Sequence, residues 1–280
     1  TPSPPRPPPS RYTPIAPPVS RRTPRRTRTP RPPSAEHRRR NWAPLPHPAG
    51  ELGAVLITHA HIDHSGYLPR LTRQGFSGPV YCTPPTLELL RVLLPDAANI
   101  QEEEARYANR KGYSKHAPAL PLFRMADAMA ALRLLEPVPF GSWRELHPGV
   151  RFRYRRQGHI LGAAAIELDT KGREGDRKTV FFSGDVGRYG VPILRDPEPY
   201  PGSEVLFVES TYGDRNRPAG DPRAALVEEI RAGLGRGGVI VIPAFAVDRT
   251  QELLYLLHEA VVEGELPAVP TWLDSPMGIE

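Results

Sequence analysis

The chain has 280 residues, 39% of them hydrophobic, enough for a packed core in one large domain or two modest ones, and no run reaches the ~18–20 apolar residues of a membrane span. Its net charge of +6 is uneven: residues 1–43 hold 11 arginines against one acid, Glu36, so that stretch carries +10 and the rest −4, and the basic balance that would suggest nucleic acid reaches the tail only. A single cysteine, Cys82, excludes an intrachain disulfide and suits a reducing compartment such as the cytoplasm.

Residues 1–40 are rich in Pro and Arg, lack backbone donors and repel one another, so they are expected to be a disordered tail. They have no apolar stretch of the secretory kind. Order is expected from about Trp42. Residues 54–57 (AVLI) read as a buried strand, followed by residues 58–66 (THAHIDHSG) and a helix over 67–74. Residues 79–82 are the next strand, with Cys82 as a small buried hydrophobe. Helices are expected at 86–94 and 126–134, with a helix plus a surface excursion over 102–115; Lys111, Lys115 and His116 in that excursion read as a solvated cluster. Residues 150–157 (VRFRYRRQ) alternate as a strand and pair with 163–169 across the turn 158–162. Strands follow at 178–183 and 205–209. After that come a helix at 222–234, a buried strand at 238–243 (GVIVIP), a helix at 248–263 capped by Asp248, and a strand at 269–273. Alternating helices and strands define an α/β fold with parallel pairing through crossover helices. A helix beginning at 275–280 leads us to expect more chain beyond Glu280, and the first residue, Thr1, a start upstream.

The strongest chemical signal is His59, His61, Asp63 and His64 in a turn after a core strand. Imidazoles and carboxylates mixed at this density suit two adjacent zinc ions. His159, in the turn GHILG, and Asp185, in SGDVGR after a strand, read as further ligands in that company. His47, His147 and His258 lack such company and read as surface residues.

THAHIDHSG resembles the HxHxDH signature of the metallo-β-lactamase superfamily, and GHILGAA and FSGDVGR resemble its later motifs in the right order. VESTYGDR (208–215), PAFAVDRTQELL (243–254) and LDSPMGIE (273–280) are similar to the β-CASP branch. That branch holds bacterial RNA-degrading enzymes and the cleavage and polyadenylation endonuclease subunit. The resemblance implies an αββα sandwich over 41–215 lacking its first strands, and the start of an inserted α/β β-CASP domain over 216–280. It implies that His59, His61 and His159 hold one zinc, that Asp63 and His64 serve a second, and that Asp185 bridges both. Asp63 would also accept a proton, and Glu209 would support a ligand or catalytic group. The implied reaction is RNA hydrolysis, endonucleolytic with exonuclease action left open, by a hydroxide shared between metals ~3.5–4 Å apart. RNA is the implied partner, and pairing of two copies of the chain is left open. Ser183, Ser210, Thr211, Tyr212 and Arg249 are candidates for phosphate contacts. For Ser183, Ser210, Thr211 and Tyr212 a structural hydrogen bond is at least as strong a reading. For Arg249, with Gln251 beside it, the rival is a capped helix with exposed polar residues.

This chain departs from the family pattern in having no IDCG-like strand pair before Arg40–Trp42, and the sequence ends at Glu280, before the two later histidines the family supplies. We therefore expect one tight zinc rather than two. The alternatives are a hydrolase of a small thioester or phosphodiester on the same fold, a non-catalytic RNA-binding subunit, and an inactive fragment.

Overall fold

Alternation within three residues sets up the centre of the protein. In the computed structural model, which describes residues 40–172, 175–216 and 220–279, Val80 and Cys82 of strand β2 (Val80–Cys82) face one way and Tyr81 faces the other, as the period of two requires. Both faces are buried, which is why this strand is continuously apolar. β2 lies between β1 (Val55–Leu56) and β3 (Leu135–Pro137) in a parallel sheet. Helices α1 (Ile62–Ser65) and α2 (Leu68–Arg73) lead from β1 to β2; α3 (Pro84–Lys111) and α4 (Met125–Leu132) lead from β2 to β3. Leu68, Leu71, Leu90, Leu94 and Ala128 close against Val80 and Cys82 on the helical side. Burial there pushes the Cys82 thiol up to about 12, so it is an inert packing group.

The second sheet runs β4 (Arg144–His147), β5 (Val150–Arg156), β6 (Ala164–Lys171), β7 (Arg177–Phe182) and β8 (Val205–Phe207), antiparallel except for the parallel β7–β8 pair. Phe152, Tyr154, Ala164 and Ile166 point inward and meet Tyr81 of the first sheet. The Tyr154 hydroxyl donates to the Tyr81 carbonyl at 2.7 Å, pinning sheet to sheet. The alternate residues of β5 are arginines. Arg151 binds Asp169 across β6, Arg153 binds Glu167, and both guanidinium groups lie over the Trp143 ring, 4.3 and 4.4 Å from its centroid. The alternating pattern of 150–157 is thus a buried aromatic face and a paired ionic face.

Three expectations differ from what is observed. The helices expected at 86–94 and 102–115 are one helix, α3, running through Pro95. Leu87, Leu90, Leu93, Leu94 and Ala98 keep a buried stripe continuous across the proline, which outweighs the ~3 kcal/mol cost of proline inside a helix. β3 and β4 occupy residues for which no strand was expected, being too short to show a period. Residues 238–243 and 269–273 adopt no strand; Val239 is 93% exposed and Trp272 82%, because no neighbouring strand among the described residues supplies the ladder that an apolar strand needs.

Helices α5 (Pro222–Gly235) and α6 (Arg249–Val262) share a small core of Val227, Ile230, Ala260 and Leu266, and α7 (Pro276–Ile279) follows. Among the described residues no helix is long and apolar enough to cross a membrane. The disorder expected for residues 1–40 lies outside the described residues apart from Arg40.

Candidate metal centre

β1 delivers the histidine loop to the edge of the parallel sheet. Ile57 is still in the ladder, its N–H bonded to the Tyr81 carbonyl at 2.9 Å, and the Thr58 carbonyl accepts from Ala164 N–H of β6 at 2.9 Å. The loop therefore hangs between the two sheets. His61 takes the N-cap position of α1. The buried Ser65 hydroxyl reaches back to the carbonyls of Ala60 and His61 at 2.9 and 3.0 Å, closing the turn on itself.

Four side chains converge. His59, His61, His159 and Asp185 each offer one donor atom, and the four atoms lie within 4.8 Å of one another. His61 Nδ1 faces both His59 Nε2 and His159 Nε2, at 3.2 Å each. Asp185 Oδ2 stands 3.5 Å from His159 Nε2 and 3.9 Å from His59 Nε2. Its other oxygen, Oδ1, is 3.3 Å from His64 Nε2, which is 3.6 Å from Asp63 Oδ2. Asp185 thus addresses the two groups of residues with different oxygens.

Burial disfavours the charged form of three of the site's imidazoles. His59, 1% exposed, is pushed down to about 2 by burial and then by His64, His61 and His159. Burial also lowers His61, against the pull of Asp63 and Asp185, and lowers His159, with His61 adding to it. One buried and two half-buried rings whose nitrogens meet at one place, with one carboxylate, form the three-nitrogen, one-oxygen donor set that suits a tetrahedral divalent ion. The residues present fit a metal.

The supporting framework lies further away in sequence. The His159 turn is clamped by Thr83 and Thr86 at the start of α3, whose hydroxyls donate to the Gly162 carbonyl at 2.7 and 3.0 Å. Gly162 has φ +83°, and a Cβ there would lie 2.5 Å from Thr86 N, so only glycine fits. The Asp185 loop approaches the same turn backbone to backbone: Gly187 N–H donates to the Gln157 carbonyl at 2.8 Å. A Cβ at Gly187 would stand 1.9 Å from the Gly158 carbonyl oxygen. Glu209 holds the loop from the other side, accepting from Val186 N–H at 2.9 Å and Thr211 N–H at 3.3 Å. Burial would raise its carboxyl, but these backbone donors and the nearby His159 hold it lower than usual.

Glu209→Gln is expected to weaken metal binding about 10-fold, at the lower end of the cost of losing a supporting partner. The metal-free fold is expected to lose about 1 kcal/mol, the worth of an ordinary hydrogen bond. Chelator competition and urea unfolding measure the two; unchanged metal affinity would remove Glu209 from the site.

The candidate phosphate contacts separate. Ser183 is buried and occupied, donating to the Gly184 carbonyl and accepting from Glu209 N–H. Ser210, Thr211 and Tyr212 are exposed beside Glu209. Arg249 is bound to Glu252, and the Gln251 side chain to the Ala246 carbonyl. Asp248 makes no capping hydrogen bond through its side chain. His47, His147 and His258 are exposed. Reading the sequence missed Thr58, whose hydroxyl is 3.1 Å from His59 Nδ1 and orients that ring. It also missed the Arg188–Glu252 pair at 2.9 Å, which joins the Asp185 loop to α6. A hydroxyl residue directly before the first histidine was the available signal for Thr58; no local signal marks the pair, which spans 64 residues.

Residues 30–242 match the family model described as the beta-lactamase superfamily domain. The chain is 37% identical over 240 residues to ribonuclease TTHA0252 of Thermus thermophilus, covering 85% of this chain and 50% of that protein. It is 33% identical over 239 residues to transcription termination factor FttA of Methanosarcina mazei, covering 83% and 35%. With FttA of Pyrococcus abyssi it shares 34% over 230 residues, covering 80% and 33%. The chain spans about half the length of the first of these relatives and about a third of the others.

Proposed function

Because the chain belongs to the metallo-β-lactamase superfamily, in its β-CASP branch, we propose that it is the zinc-binding part of a hydrolase that cleaves RNA phosphodiester bonds. The convergence of His59, His61, His159 and Asp185 within 4.8 Å carries the reading. The relative named as a ribonuclease supports the choice of RNA, with endonucleolytic cleavage as the primary action. Residues 41–215 are read as the metallo-β-lactamase part and 216–280 as the opening of the β-CASP part; the separate small core shared by α5 and α6 supports that division. A reducing, cytoplasmic setting and pairing of two copies belong to the same reading.

His59 and His159 would hold the ion through Nε2 and His61 through Nδ1, the nitrogens that face one another. Asp185 Oδ2 completes this set, while Oδ1 turns to a second set of His64 and Asp63. Bound zinc supplies a Lewis acid for the phosphoryl oxygens and water activated near neutral pH. Asp63, 79% exposed, stands at the open side of the site and would accept a proton as well as serve the second set. Exposed Ser210, Thr211 and Tyr212 orient the phosphate by hydroxyl and backbone donors. Glu209 keeps the Asp185 loop in place while they do so.

The test loads the 280-residue chain with zinc and offers end-labelled single-stranded RNA and, separately, a small thioester. One tightly held zinc per chain and RNA cleavage that stops on adding a chelator are expected, with the thioester untouched. Thioester hydrolysis without RNA cleavage, or RNA bound but left whole, would overturn the proposal.

A further inference from the structure

The far end of α3 carries a surface that the metal centre does not use. Its last turn holds Arg110 and Lys111 and closes on Gly112 at φ 64°. That left-handed residue reverses the chain. The Asn109 side-chain amide fixes the return, donating to the Ala119 carbonyl at 2.9 Å and accepting from Ala119 N–H at 2.8 Å. The reversal brings Tyr113 back beside Tyr107, ring centroids 6.1 Å apart and tilted by 55°.

Both rings face solvent, 47% exposed at Tyr107 and 64% at Tyr113. Arg110 Cζ and Lys111 Nζ each lie 5.9 Å from the Tyr107 centroid. An open groove of about 830 Å³ is lined by Tyr107, Tyr113, Arg106 and Arg110, with Glu103 and Glu104 at its border. Over 103–116 four cations stand against two acids. Arg106 leans on Glu103 at 3.9 Å, whereas Arg110, Lys111 and Lys115 form no ion pair among the described residues. The arginines of β5, by contrast, are spent on Glu167 and Asp169. The helix dipole accounts for basic residues in a last turn; it does not account for two exposed tyrosines folded against them. Unpaired cations beside open aromatic faces are the combination that holds single-stranded nucleic acid, rings stacking on bases and cations meeting phosphates.

We propose that Tyr107 and Tyr113, with Arg110, Lys111 and Lys115, form a docking site for single-stranded RNA outside the metal centre. The inference rests on the reading of the chain as an RNA hydrolase. Two rings tilted at 55° cannot share one base, so each takes its own. A duplex hides its base faces, so the surface favours a single strand. Along α3 the site stands about 30 Å from Thr86, which clamps the His159 turn. A strand anchored there and cut at the metal centre must span that length, and shorter fragments lack the anchorage.

Photo-crosslinking of thiouridine-containing single-stranded RNA to the full 280-residue chain, mapped residue by residue, tests this together with affinity across a salt series. Mapping separates the site from the arginines of residues 1–43, which attract phosphate on their own account. Crosslinks are expected at Tyr107 and Tyr113 with a single strand and not with a duplex of the same sequence. Tyr107→Ala combined with Tyr113→Ala should weaken single-strand binding about 10-fold. Arg110→Gln combined with Lys111→Gln should flatten the slope of log affinity against log salt by roughly 1.4. All four side chains are exposed, so the melting temperature is expected to hold. If the chain binds or cuts RNA but the crosslinks fall elsewhere, or the tyrosine variant binds a single strand as the wild type does, the inference fails alone. It fails in the same way if duplex and single strand crosslink alike, which would make the surface a plain cationic patch. If the zinc-loaded wild type neither binds nor cuts RNA, the RNA reading fails and takes the inference with it.

Discussion

Asp185→Asn is expected to weaken binding of the proposed zinc by at least about 100-fold, roughly 2.7 kcal/mol, and to lower the proposed RNA cleavage on the order of 10³-fold, while leaving the fold intact. Asparagine has the shape of aspartate, so no cavity forms. The loop does not depend on the carboxylate: Val186 is held by Glu209 and Gly187 by the Gln157 carbonyl. What the carboxylate does is supply the only negative charge among the four converging donors and address His64 with its second oxygen. Loss of that charge should exceed the loss of any outer partner, which costs 10–100-fold. Chelator competition, circular dichroism and cleavage of labelled single-stranded RNA read the three effects together. An asparagine variant that binds zinc like the wild type would falsify the assignment of Asp185 as a ligand.

The metal-free protein is expected to lose stability as pH falls below about 6.5, well before its carboxylates protonate. His59 holds its proton only below about 2 in the folded chain, against 6.5 for an ordinary histidine. Between these values the unfolded chain binds a proton that the folded chain refuses, so stability drops with falling pH at ~1.4 kcal/mol per unit. By pH 5 His59 alone accounts for about 2 kcal/mol. His61 and His159 are lowered too and act in the same direction. Glu167 adds a further loss at lower pH: burial would raise it, but hydrogen bonds from Arg153 and Arg155 hold it below the usual carboxylate range, so its contribution is present above about 4.5 and fades beneath. Urea unfolding in chelator at pH 7, 6 and 5 measures the slope. A midpoint that stays constant from pH 7 to 5 contradicts the burial of neutral rings; the His59→Ala variant should show a shallower slope.

The histidine loop was legible because its donors are neighbours in sequence and follow a core strand. His159 and Asp185 were legible only together with it, through the glycine-flanked turns after strands. The paired strands 150–157 and 163–169 announced themselves by alternation, since an aromatic face and an arginine face differ so sharply. Other features depend on distant partners and left no local trace. Pro95 is tolerated because the stripe from Leu87 to Ala98 is buried on both sides of it, which only tertiary packing decides. Residues 238–243 carry the pattern of a buried strand yet stand exposed, since a strand needs a neighbour that periodicity cannot supply. Asp248 looked like a helix cap because capping chemistry is local, whereas its backbone stands at φ 73° and its side chain makes no capping hydrogen bond.

The close approach of Gly187 to Gly158 separates folding from chemistry. The two turns that bear His159 and Asp185 meet main chain to main chain, and the side chains that also hold them, Thr83, Thr86 and Glu209, are not among the converging donors, so ligands can be edited while the scaffold stays assembled. Descendants that have lost a histidine or the aspartate but kept both glycines should therefore survive as shape-preserving, metal-blind proteins. Across such a lineage the glycines report inheritance of the scaffold, and only the ligands report whether hydrolysis has been retained.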